Sequence, residues 1–339
     1  MDRHVKSTSQ DSHSNLASEL VPNKMTRASA TNLVLDNIVW VLLVVFAIAA
    51  NFFNSFFLTV SNLQNILVQA TTLGFLALAI ALTLLLGEID LSVVGVLAFS
   101  GAIGAKLMDS GLPGPITILV VILVGGLVGL INGVCVAKFK MNSLIETLAM
   151  GLTLGGAVLA VTKGQTITIT SAAYIWIGSA RIGSWPVMPL ALIIIFAFAI
   201  LVLNRTTWGR RLYATGGNPR AAFAAGINVD RVRLQAFVAS GLLAGTAGWL
   251  ATAYLSGVNA TVGSNLLLYA IAAPVIGGVS LFGGLGRVAG MLGGTLLLTV
   301  VQVGLQIVNI SAYYVAMVGG GMIFLAVFVD ALRIRRREA

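Results

Sequence analysis

Charged residues are scarce in this sequence. Only 9% of its 339 residues are Asp, Glu, Lys or Arg, whereas 58% are hydrophobic. A soluble domain carries about 25% charged residues, so this chain lacks the polar surface that would keep it dissolved. Because the hydrophobic residues lie in long runs, the composition indicates an all-α polytopic membrane protein rather than a soluble enzyme or binding module.

Cysteine and histidine are almost absent as well. The single cysteine, Cys135, lies within an apolar run, which excludes a disulfide framework and a cysteine-ligated metal site. Both histidines, His4 and His13, fall in the polar N-terminal segment. The apolar part of the chain therefore has no imidazole for acid–base catalysis or metal binding, and we expect no catalytic residue, metal or bound cofactor.

A nucleotide-binding motif is also missing. No G-x-x-x-x-G-K-[ST] stretch occurs, so the chain does not itself hydrolyse ATP, and any use of ATP belongs to a partner chain. The glycine-rich run 283–290 is only loosely similar to a dinucleotide fingerprint. It lacks the preceding strand of a βαβ unit, and glycines at the end of a membrane helix are typical of tight turns and close helix approach.

Apolar segments of about 20 residues, enough to cross a bilayer, recur along the chain. The two shortest, 91–108 and 265–281, are rich in small residues, so we expect them to be tilted, broken or partly re-entrant. Pairs of glycines spaced four apart, Gly151/Gly155, Gly241/Gly245 and Gly290/Gly294, predict helix-packing faces. The ten predicted spans are 37–58, 66–86, 91–108, 115–137, 144–162, 187–204, 234–255, 265–281, 288–308 and 312–330.

Basic residues sort to one side of these ten spans. If the N-terminus is cytoplasmic, 17 of the 20 Lys and Arg residues lie inside, and only Lys106, Lys163 and Arg181 lie outside. The net charge of +9 is thus an orientation signal, not a sign of nucleic-acid binding. We predict both termini in the cytoplasm, with a flexible tail at 1–36, a transmembrane domain at 37–331 and a basic C-terminus at 332–339.

The longest inside loop, 205–233, contains a short helix of its own. Asn218 is a good N-cap, Pro219 suits the first helical position, and Gly226 stands just past an alanine-rich body. With its neighbouring arginines this helix could rest on anionic lipid headgroups. Its surface of Ala221, Ala222, Phe223 and Ala225 instead favours insertion into a groove of another protein.

The longest outside loop, 163–186, contains a β-branched run at 166–170 followed by Tyr174, Trp176 and Trp185. Two interpretations stay open for it. One is an interfacial aromatic belt with a short hairpin, and the other is a docking rim for an external partner.

Carboxylates, the usual sign of ion coupling, do not occur near the centre of any predicted span. Glu88, Asp90 and Glu146 all lie close to the predicted cytoplasmic edge. If the helices enclose a pathway for a solute, we predict that apolar, hydroxyl and amide groups line it. Such a lining suits a neutral polar solute better than an ion. The candidate pathway residues are Asp90, Ser92, Asn132 and Thr147.

Several motifs, in order between about residues 40 and 330, resemble the permease subunits of ribose-type monosaccharide ABC importers. The matching stretches are Gly87–Val93, Gly129–Gly133 with Val136–Lys138, Thr207–Arg210, Tyr213–Pro219, Ala221–Ala222, Gly226–Val229, Ile271–Ala273 and Ile276–Gly286.

The resemblance implies a homodimeric pore in the bacterial inner membrane that works by alternating access. Its implied partners are a cytoplasmic ABC ATPase, which uses the ATP, and a periplasmic or tethered sugar-binding protein. It also implies that 207–229 is the region that couples the permease to the ATPase. The candidate coupling residues are Arg210, Tyr213, Gly217, Asn218, Pro219, Ala221, Ala222 and Gly226.

Three departures from the family pattern stand out. Glu88 replaces the second glycine of the first motif, the stretch 140–148 loses two prolines and gains Glu146, and two acids expected at 267–269 are absent. A permease of the same family for a non-sugar solute therefore stays open. So do a stand-alone secondary carrier or channel, and a membrane scaffold without transport.

Overall fold

Helices account for nearly all of the regular structure. The computed structural model describes residues 38–308 together with 310, 311, 314, 315, 317–322, 324 and 328. The helices with defined bounds are α1 (Ile38–Phe53), α2 (Val60–Leu84), α3 (Val93–Asp109), α4 (Gly114–Ala137), α5 (Ser143–Thr162), α6 (Ala172–Ser179), α7 (Met188–Arg205), α8 (Thr207–Gly217), α9 (Pro219–Ala224), α10 (Val229–Leu255), α11 (Leu266–Ile276) and α12 (Val288–Ile307).

Six of these helices, α2, α4, α5, α7, α10 and α12, are long and apolar enough to cross a membrane. Helices lie in all nine predicted spans up to residue 308, so the chain is an all-α polytopic membrane protein. The predicted tail at 1–36 and the C-terminus at 332–339 lie outside the described residues, and the tenth span, 312–330, is described only in part.

Helix α2 is the centre of the fold. Every residue from Leu73 to Leu86 is buried, because helices α7, α10, α11 and α12 all pack around it. A helix that is apolar on all sides is expected in such a position.

Helices α4 and α10 pack against each other through glycine. A methyl group added at Gly241 would lie 2.2 Å from the carbonyl oxygen of Gly125, and one added at Gly129 would lie 2.3 Å from that of Phe237. Any side chain at these positions would push the two backbones apart. The predicted packing face at Gly241/Gly245 is confirmed.

The other two predicted glycine faces have different outcomes. Gly290 and Gly294 lie against the backbone of α11, at Gly277 and Ala273, as predicted. Gly151 approaches Leu91 and Ser92, but a methyl group at Gly155 would meet nothing within 4 Å. Among the described residues of this chain, the predicted packing of Gly155 is therefore not found: the residue lies on an open surface of α5.

Helix α11 is short, as its small-residue composition predicted. Its 11 residues extend over roughly 16 Å, about half of a 30 Å hydrocarbon core. Pro274, in its last turn, lacks the N–H that would continue the helical ladder. The chain beyond it, 277–287, is irregular apart from turns.

In the described part of the chain, the loops contain four two-residue strands: β1 (Ile167–Thr168), β2 (Arg181–Ile182), β3 (Trp185–Pro186) and β4 (Gly257–Val258). Strands β2 and β3 form the local hairpin. The β-branched run at 166–170, however, pairs as β1 with β4, which follows α10. The two loops joined in this way were both predicted to lie outside the membrane.

Candidate functional site

The connection between α2 and α3 enters the protein interior without helical structure. Residues 88–92 have no regular secondary structure, and Asp90 and Ser92 within this segment are 1% and 0% exposed. Buried backbone without a helical ladder must find hydrogen-bond partners elsewhere. Side chains from helices that follow later in the chain supply them.

Asp90 accepts hydrogen bonds on both carboxylate oxygens. Its Oδ1 accepts from the backbone N–H of Ser92 at 3.0 Å and from the hydroxyl of Ser92 at 2.6 Å. Its Oδ2 accepts from the hydroxyl of Ser240, in α10, at 2.9 Å. Burial raises the pKa of the Asp90 carboxyl above its usual value, and these hydrogen bonds oppose that rise.

Helices α4 and α5 complete the network. Asn132, in α4, donates from Nδ2 to the Ser92 hydroxyl at 2.8 Å. The Thr147 hydroxyl of α5 accepts from the N–H of Leu91 at 2.9 Å, and Ser143 accepts from the N–H of Ile89 at 3.2 Å. Three helices and one loop are thus held together by polar contacts in an apolar surrounding.

Two acceptor atoms next to this network have no hydrogen-bond partner among the described residues. They are Oδ1 of Asn132 and Oε2 of Glu146, whose residues are 0% and 6% exposed. Glu146 is near enough to Asp90 for the two carboxyl groups to interact electrostatically. No three His, Cys, Asp or Glu side chains in the described part of the chain lie close enough together to hold a metal ion.

The sequence prediction named four of these residues, and the structure brings them together. Asp90, Ser92, Asn132 and Thr147 lie in one hydrogen-bonded cluster, where all four are buried. That they line the solute pathway stays a prediction. Sequence reasoning missed Ser240, although a hydroxyl next to Gly241 on a predicted packing face was a usable signal.

The same end of the helices carries charges that pair across loops. Nε of Arg233 lies 3.1 Å from Oε1 of Glu88. This ion pair joins the start of α10 to the connection after α2. Lys140 and Asp230 form a second ion pair, between the α4–α5 connection and α10. Glu88, a departure from the family pattern, therefore has a partner in this chain.

The predicted helix in the loop 205–233 is confirmed. The Asn218 side chain accepts from the N–H of Ala221 at 3.0 Å, Pro219 is the first residue of α9, and Gly226, with φ of +81°, ends it. Helix α8 precedes it, capped by Thr206, which accepts from the N–H of Gly209 at 3.2 Å. Two short, individually capped helices therefore form this loop.

Helix α8 rests directly on two other loops. A methyl group at Gly216 would lie 1.8 Å from the carbonyl oxygen of Leu85, so only glycine fits there. The N–H of Gly284 donates to that same oxygen at 2.9 Å, and Tyr213 donates from its hydroxyl to the carbonyl of Gly286 at 3.0 Å. Burial raises the pKa of Tyr213.

Most of the predicted coupling residues are exposed. This group comprises Arg210, Gly217, Asn218, Pro219, Ala221 and Gly226. Phe223 projects beside them with 74% of its surface exposed, next to an open concavity of about 450 Å³ between α9 and the start of α10.

Two of the predicted coupling residues face inward instead. Ala222 was predicted to lie on the exposed surface of the short helix, but it is 3% exposed. A six-residue helix needs one face for its own support, and Ala222 lies on that face, with its carbonyl bonded to the N–H of Ile227. Tyr213 is half-buried by its contact with Gly286.

Known proteins resemble this chain over most of its length. The family described as "Branched-chain amino acid transport system / permease component" matches residues 62–327. The ribose import permease protein of Haemophilus influenzae is 37% identical, over 86% of this chain and 91% of its own length. The L-arabinose ABC transporter permease protein of Azospirillum brasilense is 35% identical, over 84% of each chain.

A third relative is named for another sugar. The D-allose transport system permease protein of Escherichia coli is 33% identical, over 86% of this chain and 90% of its own length. No solved structure matches the chain.

Proposed function

Because the chain belongs to the family of branched-chain amino acid transport system permease components, we propose that it is the membrane permease subunit of an ABC importer for a monosaccharide. The observation that carries this proposal is the agreement of the relatives. Three of them, each aligned over at least 84% of this chain, are named for ribose, arabinose and allose. A monosaccharide, either a pentose or a hexose, is the solute class that these names share. A related polyol belongs to the same proposal.

The polar network supports a neutral solute over an ion. Its acids, Asp90 and Glu146, are enclosed, and Asp90 is already saturated by neutral hydroxyl and amide donors. A secondary carrier usually exposes such groups to a pathway at mid-membrane. One observation favours the alternative of a non-sugar solute: the family description itself names amino acids.

The loop 205–233 supports coupling to a separate ATPase. Its exposed side chains form a surface beside Phe223, while its inner face touches the connections after α2 and after α11. A displacement of α9 by a partner would therefore be transmitted to α8 and to the loops beneath it. Such a rigid connection is what alternating access requires of a subunit without ATPase chemistry of its own.

The remaining elements of the proposal follow the same scheme. We propose ten membrane spans with both termini in the cytoplasm, a homodimeric pore in the bacterial inner membrane, and delivery of solute by a binding protein at the opposite end. The grouping of loops supports this arrangement. The connections predicted inside contact one another near Gly216, and those predicted outside pair through β1 and β4.

Reconstituted uptake tests the proposal. The permease is placed in proteoliposomes with a sugar-importer ATPase and a sugar-binding protein from the same organism. Entry of labelled ribose, arabinose and allose is then measured with and without ATP. We expect ATP-dependent uptake of at least one sugar that a protonophore leaves unchanged. Uptake that a protonophore abolishes at constant ATP would show a secondary carrier, and uptake of amino acids alone would show a non-sugar permease.

A further inference from the structure

An apolar groove opens on the outer surface of the helices near α8. Its floor is the last part of α2, with Leu78 and Leu82, and its walls are α7 and α10, with Val202 and Leu243. Trp208, at the start of α8, closes one end. Phe198, on the α7 wall, is 58% exposed, so the groove is open along its side.

Size and lining limit what can occupy this groove. Its volume is about 100 Å³ and no polar atom lines it. A cavity that holds benzene measures roughly 150 Å³, so the groove suits a slim aliphatic chain better than an aromatic ring or a helix. Apart from Trp208, its lining residues belong to helices that are long and apolar enough to cross the membrane, where acyl chains are the abundant aliphatic ligand.

Two arginines lie close in sequence to the residues that line the closed end of the groove. Arg205 follows the α7 wall by two residues, and Arg211 lies one turn beyond Trp208 on nearly the same side of α8. Both arginines are exposed, and neither has an ion-pair partner among the described residues. Tryptophan is typical of the membrane–water interface, so Trp208 marks the depth at which a headgroup would lie.

We propose that this groove is a binding site for an anionic phospholipid, with one acyl chain between α7 and α10 and the headgroup phosphate between Arg205 and Arg211. The site would hold a lipid against α8, within the loop 205–233 that we propose contacts the ATPase. It does not depend on which solute is transported.

Quenching of Trp208 tests this site directly. The protein is reconstituted in phosphatidylcholine nanodiscs that contain a minor, equal fraction of either phosphatidylglycerol or phosphatidylcholine with brominated acyl chains. Bromine quenches only nearby indoles, so the difference between the natural protein and Trp208→Phe isolates the signal of this residue. We expect brominated phosphatidylglycerol to occupy the groove more readily than brominated phosphatidylcholine, by about fivefold for each of the two arginines. The reason is that one Lys or Arg near an anionic membrane surface contributes about 1 kcal/mol to binding.

Matched variants separate headgroup recognition from simple contact with lipid. Arg205→Gln and Arg211→Gln should each reduce the preference about fivefold, whereas Arg231→Gln, an exposed arginine of the same loop, should leave it unchanged. Ala239→Leu fills the groove and should reduce quenching by both lipids. Ala197→Leu, on the opposite side of α7, should not.

Two results would overturn the proposal. Equal quenching by both brominated lipids would show that the groove takes any boundary lipid without recognising a headgroup. No quenching of Trp208 by either lipid would show that protein, for instance a second copy of the chain, covers the groove. Because neither measurement involves uptake, failure here leaves the proposed transport function intact.

Discussion

The hydrogen bond between Ser240 and Asp90 provides the sharpest test of the polar network. It joins residues 150 apart in sequence, is 2.9 Å long, and connects α10 to the loop before α3. In Ser240→Ala, Oδ2 of Asp90 keeps no donor among the described residues. Hydrogen bonds to charged groups contribute about 1.5–3 kcal/mol in proteins, whereas interhelical bonds in membranes average about 0.6 kcal/mol with a maximum near 1.7.

We therefore expect Ser240→Ala to lower the free energy of unfolding by about 1.5 kcal/mol, the upper part of the membrane range, because the acceptor is a buried carboxylate. A double-mutant cycle with Asp90→Ala should yield a coupling energy of about 1 kcal/mol or more. The measurement is equilibrium unfolding in mixed micelles of a mild detergent and dodecyl sulfate, followed by far-ultraviolet circular dichroism.

Ser100→Ala is the matched control for this measurement. Its hydroxyl is equally buried, but it donates to the carbonyl of Leu97 within its own helix. If Ser240→Ala costs no more than Ser100→Ala, and the cycle coupling stays within the additivity error of about 0.3–0.5 kcal/mol, the network does not hold the helices together. The role that we assign to Asp90 would then be incorrect.

Further predictions concern the loop 205–233 and its contacts. Gly216→Ala should lower the free energy of unfolding by about 1–3 kcal/mol, because its new methyl group overlaps the Leu85 carbonyl. Gly217→Ala is the control and should unfold like the natural protein, because its methyl group would meet no described atom within 4 Å. Equal free energies of unfolding for the two variants would show that Gly216 makes no such contact. Phe223→Ala should weaken co-purification of the ATPase without changing stability, and Phe53→Ala, 80% exposed at the end of α1, should have no effect on either. Tyr213→Phe should cost about 0.5–1.5 kcal/mol in unfolding, and no cost would mean that its bond to Gly286 contributes nothing.

Local sequence was sufficient to predict where most of the long helices lie, although α2 and α10 begin five or six residues before their predicted spans and α1 and α11 end five residues early. Apolar length placed the spans, and capping chemistry at Asn218 and Gly226 defined a helix of only six residues. The two segments rich in small residues, 91–108 and 265–281, were expected to be tilted, broken or partly re-entrant. Helix α11 is indeed short, whereas α3 is one continuous helix of 17 residues. These features depend on residues that are close in sequence, within about one helical turn. They can therefore be predicted from a single sequence.

Features that depend on distant parts of the chain could not be predicted in the same way. The pairing of β1 with β4 and the bond from Ser240 to Asp90 require the packing of α10 against α3 and α4. The burial of Ala222 depends on which face of α9 packs against the rest of the protein. A run of alanines has no polar and apolar sides from which that face could be predicted. Residue type predicted that Asp90 and Asn132 matter, but not that they share one cluster.

The contact between Gly216 and Leu85 has a mechanical consequence. It is made by main-chain atoms alone, so it contains no side-chain torsion that could absorb a displacement. A separation of roughly 0.5–1 Å already removes a quarter to a half of the attraction between touching atoms. A displacement of α8 would therefore either carry the C-terminal end of α2 with it or break this contact. Because α2 is the central helix, a displacement that keeps the contact would reach the helices packed around α2.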